Sequence, residues 1–346
     1  MFVLVTGATG YVGGRLVPEL LRQGHRVRTT VSDSGSQDAP WWADQVETVT
    51  MDIMEADQVH AACAGVDTAY FLIHGMGGDD FMEQDRVAAT NMRDAVAAQE
   101  VSRVVYLSGI IPEVPEAELS EHLQSRLEVE RILTDSPATV ITLRAAVVMG
   151  SGSTSFEIIR QVSERMPVHT VPDWMNSRVQ PIAVVDVVAA LIGAATIEGP
   201  SRHFDVGGPE CLPYADLLDR YTEVAGLTRP QVEIPFLPTD LVGTMVGALT
   251  DVPASTVAAL VESLREDMVC ADSSFAAALL PPGHELLGFE DSVRRSLAEG
   301  AGAPADRDPM SAMPHDPDWA GGGTDQSFPE RVLDTLRSAA EAVRGR

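Results

Sequence analysis

Three glycines recur at intervals of three in Val3-Leu4-Val5-Thr6-Gly7-Ala8-Thr9-Gly10-Tyr11-Val12-Gly13. Bare backbone at Gly7 and Gly10 permits a tight turn and lets main-chain N–H groups approach an anion, while Gly13 permits close helix–strand contact. The helix that opens there turns the positive end of its dipole, about half an elementary charge, toward the same anion. Alone, a triple glycine is an ordinary turn. Directly after one strand and opening one helix, it predicts a dinucleotide pyrophosphate site formed by Gly7, Thr9, Gly10, Tyr11, Val12 and Gly13.

A second constellation is His122-Leu123-Gln124-Ser125-Arg126. Four-residue spacing places His122 and Arg126 on one helical face. The arginine fork can donate to paired hydroxyls, and a histidine with an ordinary pKa of about 6.5 can donate a proton near neutral pH. Ser108, at the end of the strand-like Val105-Tyr106-Leu107-Ser108, supplies a hydroxyl. These three are the candidate catalytic residues. All 24 basic residues are arginine, so the absence of lysine excludes Schiff-base chemistry. A plainer reading competes. Glu118, His122, Arg126 and Glu130 form a mixed-charge row typical of an exposed helix face, with Leu119, Leu123 and Leu127 buried beside it. Arg126 should also depress the His122 pKa and weaken it as an acid.

The 346 residues, 45% hydrophobic and 22% charged, have globular composition. A net charge of −27 argues against nucleic acid and anionic membrane surfaces as partners. Cys63, Cys211 and Cys270 are odd in number and widely spaced, so neither a disulfide framework nor a metal site is expected. No apolar run reaches the roughly 18 residues of a membrane span. The chain opens on strand-like Phe2-Val3-Leu4-Val5 without a basic leader, and a cytoplasmic protein is the expectation.

Strand-like runs at 2–5, 26–31, 46–50, 67–73, 103–107 and 138–144 alternate with helical patterns at 13–23, 55–64, 80–99 and 117–134. Such alternation predicts an α/β fold, a Rossmann-like doubly wound parallel sheet with a smaller helix-rich substrate cap. The expected core is 1–150 with return segments 178–207. The cap is 151–177 and 208–299, with helical patterns at 154–165, 184–197, 213–225 and 239–267 around the later boundaries. Residues 300–329, rich in Gly, Pro, Asp and Ala, predict a flexible acidic linker serving only solubility, and 330–346 a closing helix. Met149, Phe156, Met166, Trp174, Met175, Leu241, Met245 and Leu249 could line the substrate pocket, although such residues more often fill core.

The GxxGxxG spacing, preceded by Thr6 and containing Ala8-Thr9, resembles the extended and atypical short-chain dehydrogenase/reductases. Met51-Asp52-Ile53 looks like the pair that holds adenine, and Phe71-Leu72-Ile73-His74-Gly75 like the strand end beneath the cofactor. Asn91 matches a structural asparagine. Leu143 to Gly150 resembles the segment bordering the nicotinamide, with Ala145 replacing its proline. Gln180 to Val187 and Phe204 to Pro209 resemble the returning segments. The likeness is greatest to the NmrA-like NAD(P)H-binding subgroup, through the run Phe71 to Gly77 and the block Gly150-Ser151-Gly152-Ser153 with Ser155-Phe156-Glu157. It covers residues 1–298 and a short Asp316-Pro317-Asp318-Trp319 signature.

The resemblance implies NADPH or NADH as cofactor. Ser32, Ser34 and Arg15 could donate to a 2′-phosphate and favour NADPH. Asp33, as a ribose acceptor, would favour NADH. The family's Ser/Thr-Tyr-Lys relay is impossible without lysine, and tyrosines 11, 70, 106, 214 and 221 fall elsewhere. Arg126 would then hold the nicotinamide ribose. Alternatively, a phenol on the substrate itself stabilises the alkoxide, and positioning supplies the rest. The implied activity is an NADPH-dependent ketoreductase acting on a bulky hydrophobic carbonyl, such as an aromatic polyketide of the angucyclinone type. A non-catalytic NADP(H)-sensing regulator and an NAD-dependent epimerase are the rivals. The expected partner is a small molecule, and the expected state a monomer or homodimer.

Overall fold

A computed structural model describes residues 1–32, 39–75, 80–234 and 238–321. Seven strands build one parallel sheet: β1 (Phe2–Thr6), β2 (Arg26–Val31), β3 (Glu47–Thr50), β4 (Thr68–Phe71), β5 (Arg103–Gly109), β6 (Thr139–Ala145) and β7 (Arg202–Val206). Their order is β7-β6-β5-β4-β1-β2-β3, so the winding reverses between β1 and β4. Crevices outside the strand C-termini at such a reversal are where α/β sheets bind ligands.

The burial of each strand follows from its place. Central β1 and β4 are covered on both faces, and Val3, Leu4 and Val5 have no exposure. A continuous apolar run is what a doubly covered strand requires. Edge strand β3 alternates partly buried with exposed residues and carries Glu47, which ion-pairs with Arg26 and Arg28. A charged, short edge discourages pairing with another chain.

One face of the sheet carries α1 (Tyr11–Arg22) and aliphatic α6 (Val184–Ala194), with α10 (Ser274–Leu279) behind it. A Cβ at Gly193 would lie 1.9 Å from the Leu279 carbonyl oxygen, so α6 and α10 can touch only through glycine. The other face carries α2 (Ala56–Ala62), α3 (Phe81–Ala98) and α4 (Glu121–Thr134). Burying each large aliphatic chain contributes roughly 1.5–3 kcal/mol, so these two clusters dominate the fold. A third cluster forms the cap from α5 (Thr154–Arg165), α7 (Tyr214–Ala225), α8 (Thr239–Leu249), α9 (Ala254–Ser263) and α11 (Phe289–Leu297).

Three expectations change. The helical pattern 239–267 is two helices, because Pro253 cannot donate a backbone hydrogen bond and starts α9 after a break at Thr250 to Val252. The strand read over 67–73 ends at Phe71. Residues 308–321 are not a solvated linker, although 301–303 and 305–306 are exposed. Met310 and Ser311 are buried, and Arg295 holds Asp308 through two hydrogen bonds of 2.7 and 2.8 Å. The expected closing helix at 330–346, and linker residues 322–329, lie outside the described residues.

Candidate coenzyme and substrate cleft

The glycine loop has the geometry that its spacing requires. Gly7 adopts φ +71°, and Gly10 N–H donates to Gly7 O at 3.0 Å. A Cβ on Gly13 would stand 2.2 Å from Gly7 O, and one on Gly7 would stand 3.1 Å from the Leu72 backbone. Side chains at these positions would fill the space that bare amides need to meet a pyrophosphate. Thr6 ties β1 to β4 by donating to the Tyr70 carbonyl at 3.0 Å. The loop, its helix and the end of β4 therefore form one rigid cradle, and the residues present fit the coenzyme.

A cleft of about 310 Å³ runs from this cradle to the cap. Gly7, Gly10, Tyr11, Val12, Gly13, Leu72, His74, Ser108, His122, Arg126 and Ala145 all line it, although they come from five separate stretches of sequence. Ser120 caps α4 by accepting from Leu123 N–H, which starts the helix so that His122 and Arg126 occupy its first two turns.

Arg126 is only 4% exposed, which overturns the reading of an exposed charged row. Among the described residues it has no carboxylate partner within ion-pair distance, and the buried Tyr106 hydroxyl and Ser108 Oγ lie close beside it, neither within full hydrogen-bond geometry. Burial raises the Tyr106 pKa, and the Arg126 charge partly opposes that rise. Burial and the Arg126 charge hold His122 down to about 3. His74 lines the cleft and is exposed to it. Its pKa is also lowered, by desolvation against the cleft wall and by the Arg126 charge. Both shifts favour the neutral imidazoles, which works against His122 as an imidazolium proton donor.

Other predicted residues lie elsewhere. The Arg15 guanidinium, expected to serve a 2′-phosphate, has its donors engaged within the protein. It is buried against the chain's own C-terminal segment, with Nη1 2.6 Å from Asp316 Oδ1 and Nε 2.7 Å from the Pro309 carbonyl. Thr9 is exposed beside a small cavity of about 20 Å³ on the outer side of the loop. Ser32 lies just beyond the end of β2, and Ser34 falls outside the described residues. Asp52 is exposed past β3 with Oδ1 accepting from Met54 N–H, Ile53 has its carbonyl held by Asn91, and Ile73 packs into the core. None of these three lines the cleft.

The proposed pocket-lining residues also resolve. Met149, Phe156, Met175 and Leu249 are buried in the cap core, with Met166 and Trp174 against it, while Leu241 and Met245 are about half exposed. The actual apolar lining includes Val147, Ile158, Tyr214, Leu260, Leu264 and Met268. Sequence reading missed Asp85 altogether. Its buried carboxylate accepts from Gly75 N–H at 2.7 Å and from Ser125 Oγ at 2.8 Å. No local pattern marks an aspartate inside a polar helix as such a bridge. No group of potential metal ligands occurs among the described residues, and no helix there is long and apolar enough to cross a membrane.

The cradle and cleft agree with what known proteins show. Residues 7–175 match the family model described as NAD(P)H-binding. This part of the chain is an NAD(P)H-binding domain. Its motifs resemble those of the atypical short-chain dehydrogenase/reductases. A ceramide reductase from Caulobacter vibrioides is 28% identical over 196 residues, covering 55% of this chain and 59% of that protein. A 3-beta-hydroxysteroid dehydrogenase from Mycolicibacterium neoaurum is 39% identical over 87 residues, 24% of this chain and 23% of the other. The chain thus matches less than two thirds of the length of either. The NAD(P)H-binding domain's sheet and helices recur in the UDP-glucose 4-epimerase of Bifidobacterium longum, solved with NAD+ and UDP. Its TM-score is 0.63 at 16% identity, over 85% of this chain and 96% of that one. At that identity the likeness establishes the fold.

Proposed function

We propose that the protein is an NAD(P)H-dependent oxidoreductase that reduces the carbonyl of a bulky, largely neutral substrate without a tyrosine–lysine relay. The observation that carries this reading is Arg126, a buried guanidinium that lines the cleft and has no carboxylate partner among the described residues. A buried charge left unpaired is costly, so its donors are matched to a group that arrives with coenzyme or substrate. A bound reduced nicotinamide supplies the hydride. Arg126 holds the ribose hydroxyls in lysine's place, and its charge favours negative charge developing on the carbonyl oxygen. Ser108 Oγ and the neutral His122 ring offer hydrogen bonds to that oxygen, and the alkoxide left by hydride transfer takes its proton from water entering the cleft or from a hydroxyl on the substrate itself.

The cap side of the cleft supports a neutral substrate. Among the described residues its lining is mainly aliphatic with Ser153, Thr154, Ser155 and Ser263, and contains no arginine. A diphosphate would find no cation there, which disfavours a nucleotide-sugar and with it the epimerase reading. The names of the two relatives point to long-chain or steroidal compounds. They lend no support to the narrower angucyclinone expectation, which stays as one member of the test panel. With Arg15 committed elsewhere, the case for NADPH over NADH rests on the serines alone, and we propose that both coenzymes bind.

The test follows NADPH and NADH oxidation by absorbance with long-chain ketones, 3-ketosteroids, quinones and aromatic polyketide ketones. Turnover of at least one, abolished in Arg126→Met, is expected. Saturable coenzyme binding without turnover of any would favour a sensor. NAD surviving purification together with interconversion of UDP-sugars would favour an epimerase.

A further inference from the structure

Arg15 lies in the first turns of the helix that the glycine loop opens, yet every donor of its guanidinium is turned away from the cleft. Nε donates to Pro309 O at 2.7 Å. Nη1 donates to Asp316 Oδ1 at 2.6 Å and to Tyr11 O at 3.2 Å. Nη2 donates to Asp316 Oδ2 at 3.0 Å, Ser151 O at 2.9 Å and Ser311 O at 3.3 Å. The side chains of Arg15 and Asp316 are 3% and 4% exposed. The guanidinium also stacks on the Tyr11 ring, 4.0 Å from its centroid, and Tyr11 is part of the cleft wall.

The same segment reaches two further walls of the cleft. Met310 O accepts from Ser151 N–H at 2.9 Å, in the loop that leads to Ser153. Gly152 has φ +90°, and a Cβ there would lie 2.7 Å from the Asp316 carboxyl carbon, so the loop is shaped around Asp316. Farther on, Gln161 donates to Trp319 O at 2.9 Å and Arg160 to Gly321 O at 3.2 Å, both from α5, whose Ile158 lines the cleft. Asp308 anchors the segment's other end to Arg295 on α11.

We propose that residues 308–321 are a strap that sets the coenzyme cradle, with Asp316 as a positioning residue acting on the glycine loop through Arg15 and Tyr11. Replacing a buried ion pair with apolar residues is often neutral for stability, so stability alone gives no reason for this one. Its bidentate geometry fixes direction. It joins α1 and the 150–153 loop at one point, 301 residues from Arg15 in sequence, and the strap runs on from it to α5. The inference rests on coenzyme binding at the glycine loop and is independent of which substrate is reduced.

The experiment uses the full chain and compares wild type with Asp316→Asn and with the double variant Arg15→Met/Asp316→Leu, which strands no charge. Dissociation constants for NADH and NADPH are measured by calorimetry well below each variant's Tm, beside hydrogen exchange of the 308–313 amides with and without coenzyme. Coupling of the usual size predicts that both variants bind both coenzymes about tenfold or more weakly. By reciprocity, saturating coenzyme slows strap exchange in wild type. Where Asp316→Asn does not fold, the double variant carries the binding comparison. A lowered Tm with dissociation constants within about twofold of wild type, or strap exchange indifferent to coenzyme, would overturn the proposal and leave the strap a purely structural tie. Wild type without saturable affinity for either coenzyme would overturn the coenzyme reading, and the strap's role with it.

Discussion

Ser125 donates a 2.8 Å hydrogen bond to the buried carboxylate of Asp85, whose other oxygen takes the Gly75 N–H. One carboxylate thereby joins the helix bearing His122 and Arg126 to the loop bearing His74. Asp85→Ala leaves the buried Ser125 hydroxyl without its acceptor, a loss of about 1–3 kcal/mol, and the partly buried Gly75 N–H as well, at a smaller cost. Urea unfolding should show a decrease of that order. Turnover should fall further than stability explains, because Arg126 and His74 lose their common reference. Unchanged kcat in a variant shown to be destabilised would sink the bridging role.

Arg126→Lys and Arg126→Met separate charge from geometry. Lysine keeps the positive charge but not the planar fork, so it should retain part of the activity. Methionine keeps comparable bulk and should lose roughly 100-fold or more in kcat/KM, the scale of removing one preorganised electrostatic donor. Steady-state kinetics with the best carbonyl of the panel is the measurement. Equal activity of the two variants would remove charge from the account.

The histidines set a pH dependence with a definite sign. His122 is held at about 3 by burial and the Arg126 charge, against about 6.5 in an unfolded chain. Between those values the unfolded state binds the extra proton, so stability rises with pH through that window and falls on acidification. His74, lowered for the same reasons, acts in the same direction. Tm measured from pH 7 to pH 4 should therefore decline, and less steeply in His122→Asn. A bell with an acid limb near 6.5 that disappears in His122→Asn would show that His122 titrates as a proton donor, contrary to its environment.

Gly13→Ala tests the cradle itself. The added methyl would stand 2.2 Å from Gly7 O, within the backbone of the turn. Forcing it in costs about 1–3 kcal/mol and moves the loop. Both coenzymes should lose affinity by more than about tenfold, while Gly14→Ala, whose nearest contact is an ordinary 3.8 Å, serves as the control. Comparable affinity in the two variants would contradict the assignment of the loop.

Coenzyme choice follows from where Arg15 points. Its guanidinium is saturated by Asp316 and four carbonyl groups, so it offers nothing to a 2′-phosphate. Arg15→Met should weaken NADH and NADPH alike and leave the ratio of their dissociation constants within about twofold. Selective loss of NADPH affinity, read by calorimetry, would restore Arg15 to the ribose site.

Local pattern determined the sheet, the order of its first six strands along the chain and the glycine loop. Period and apolar runs are properties of neighbouring residues, and Gly7, Gly10 and Gly13 act through their own backbones. Four-residue spacing likewise put His122 and Arg126 on one face before any fold was known. What that face meets depends on α3, β5 and the cap. Only their packing buried Arg126 with no carboxylate partner among the described residues, and Asp85, a residue without a local signature, joins its helix to the His74 loop. The same limit explains the tail. Gly, Pro and Asp between 300 and 321 compose a linker in isolation, because composition measures how little apolar surface a segment carries. It does not register that one carboxylate, Asp316, has a buried arginine waiting at the opposite end of the chain. Charge pairing across 301 residues is set by tertiary structure, since the free energy that holds it arises only when both partners leave water together.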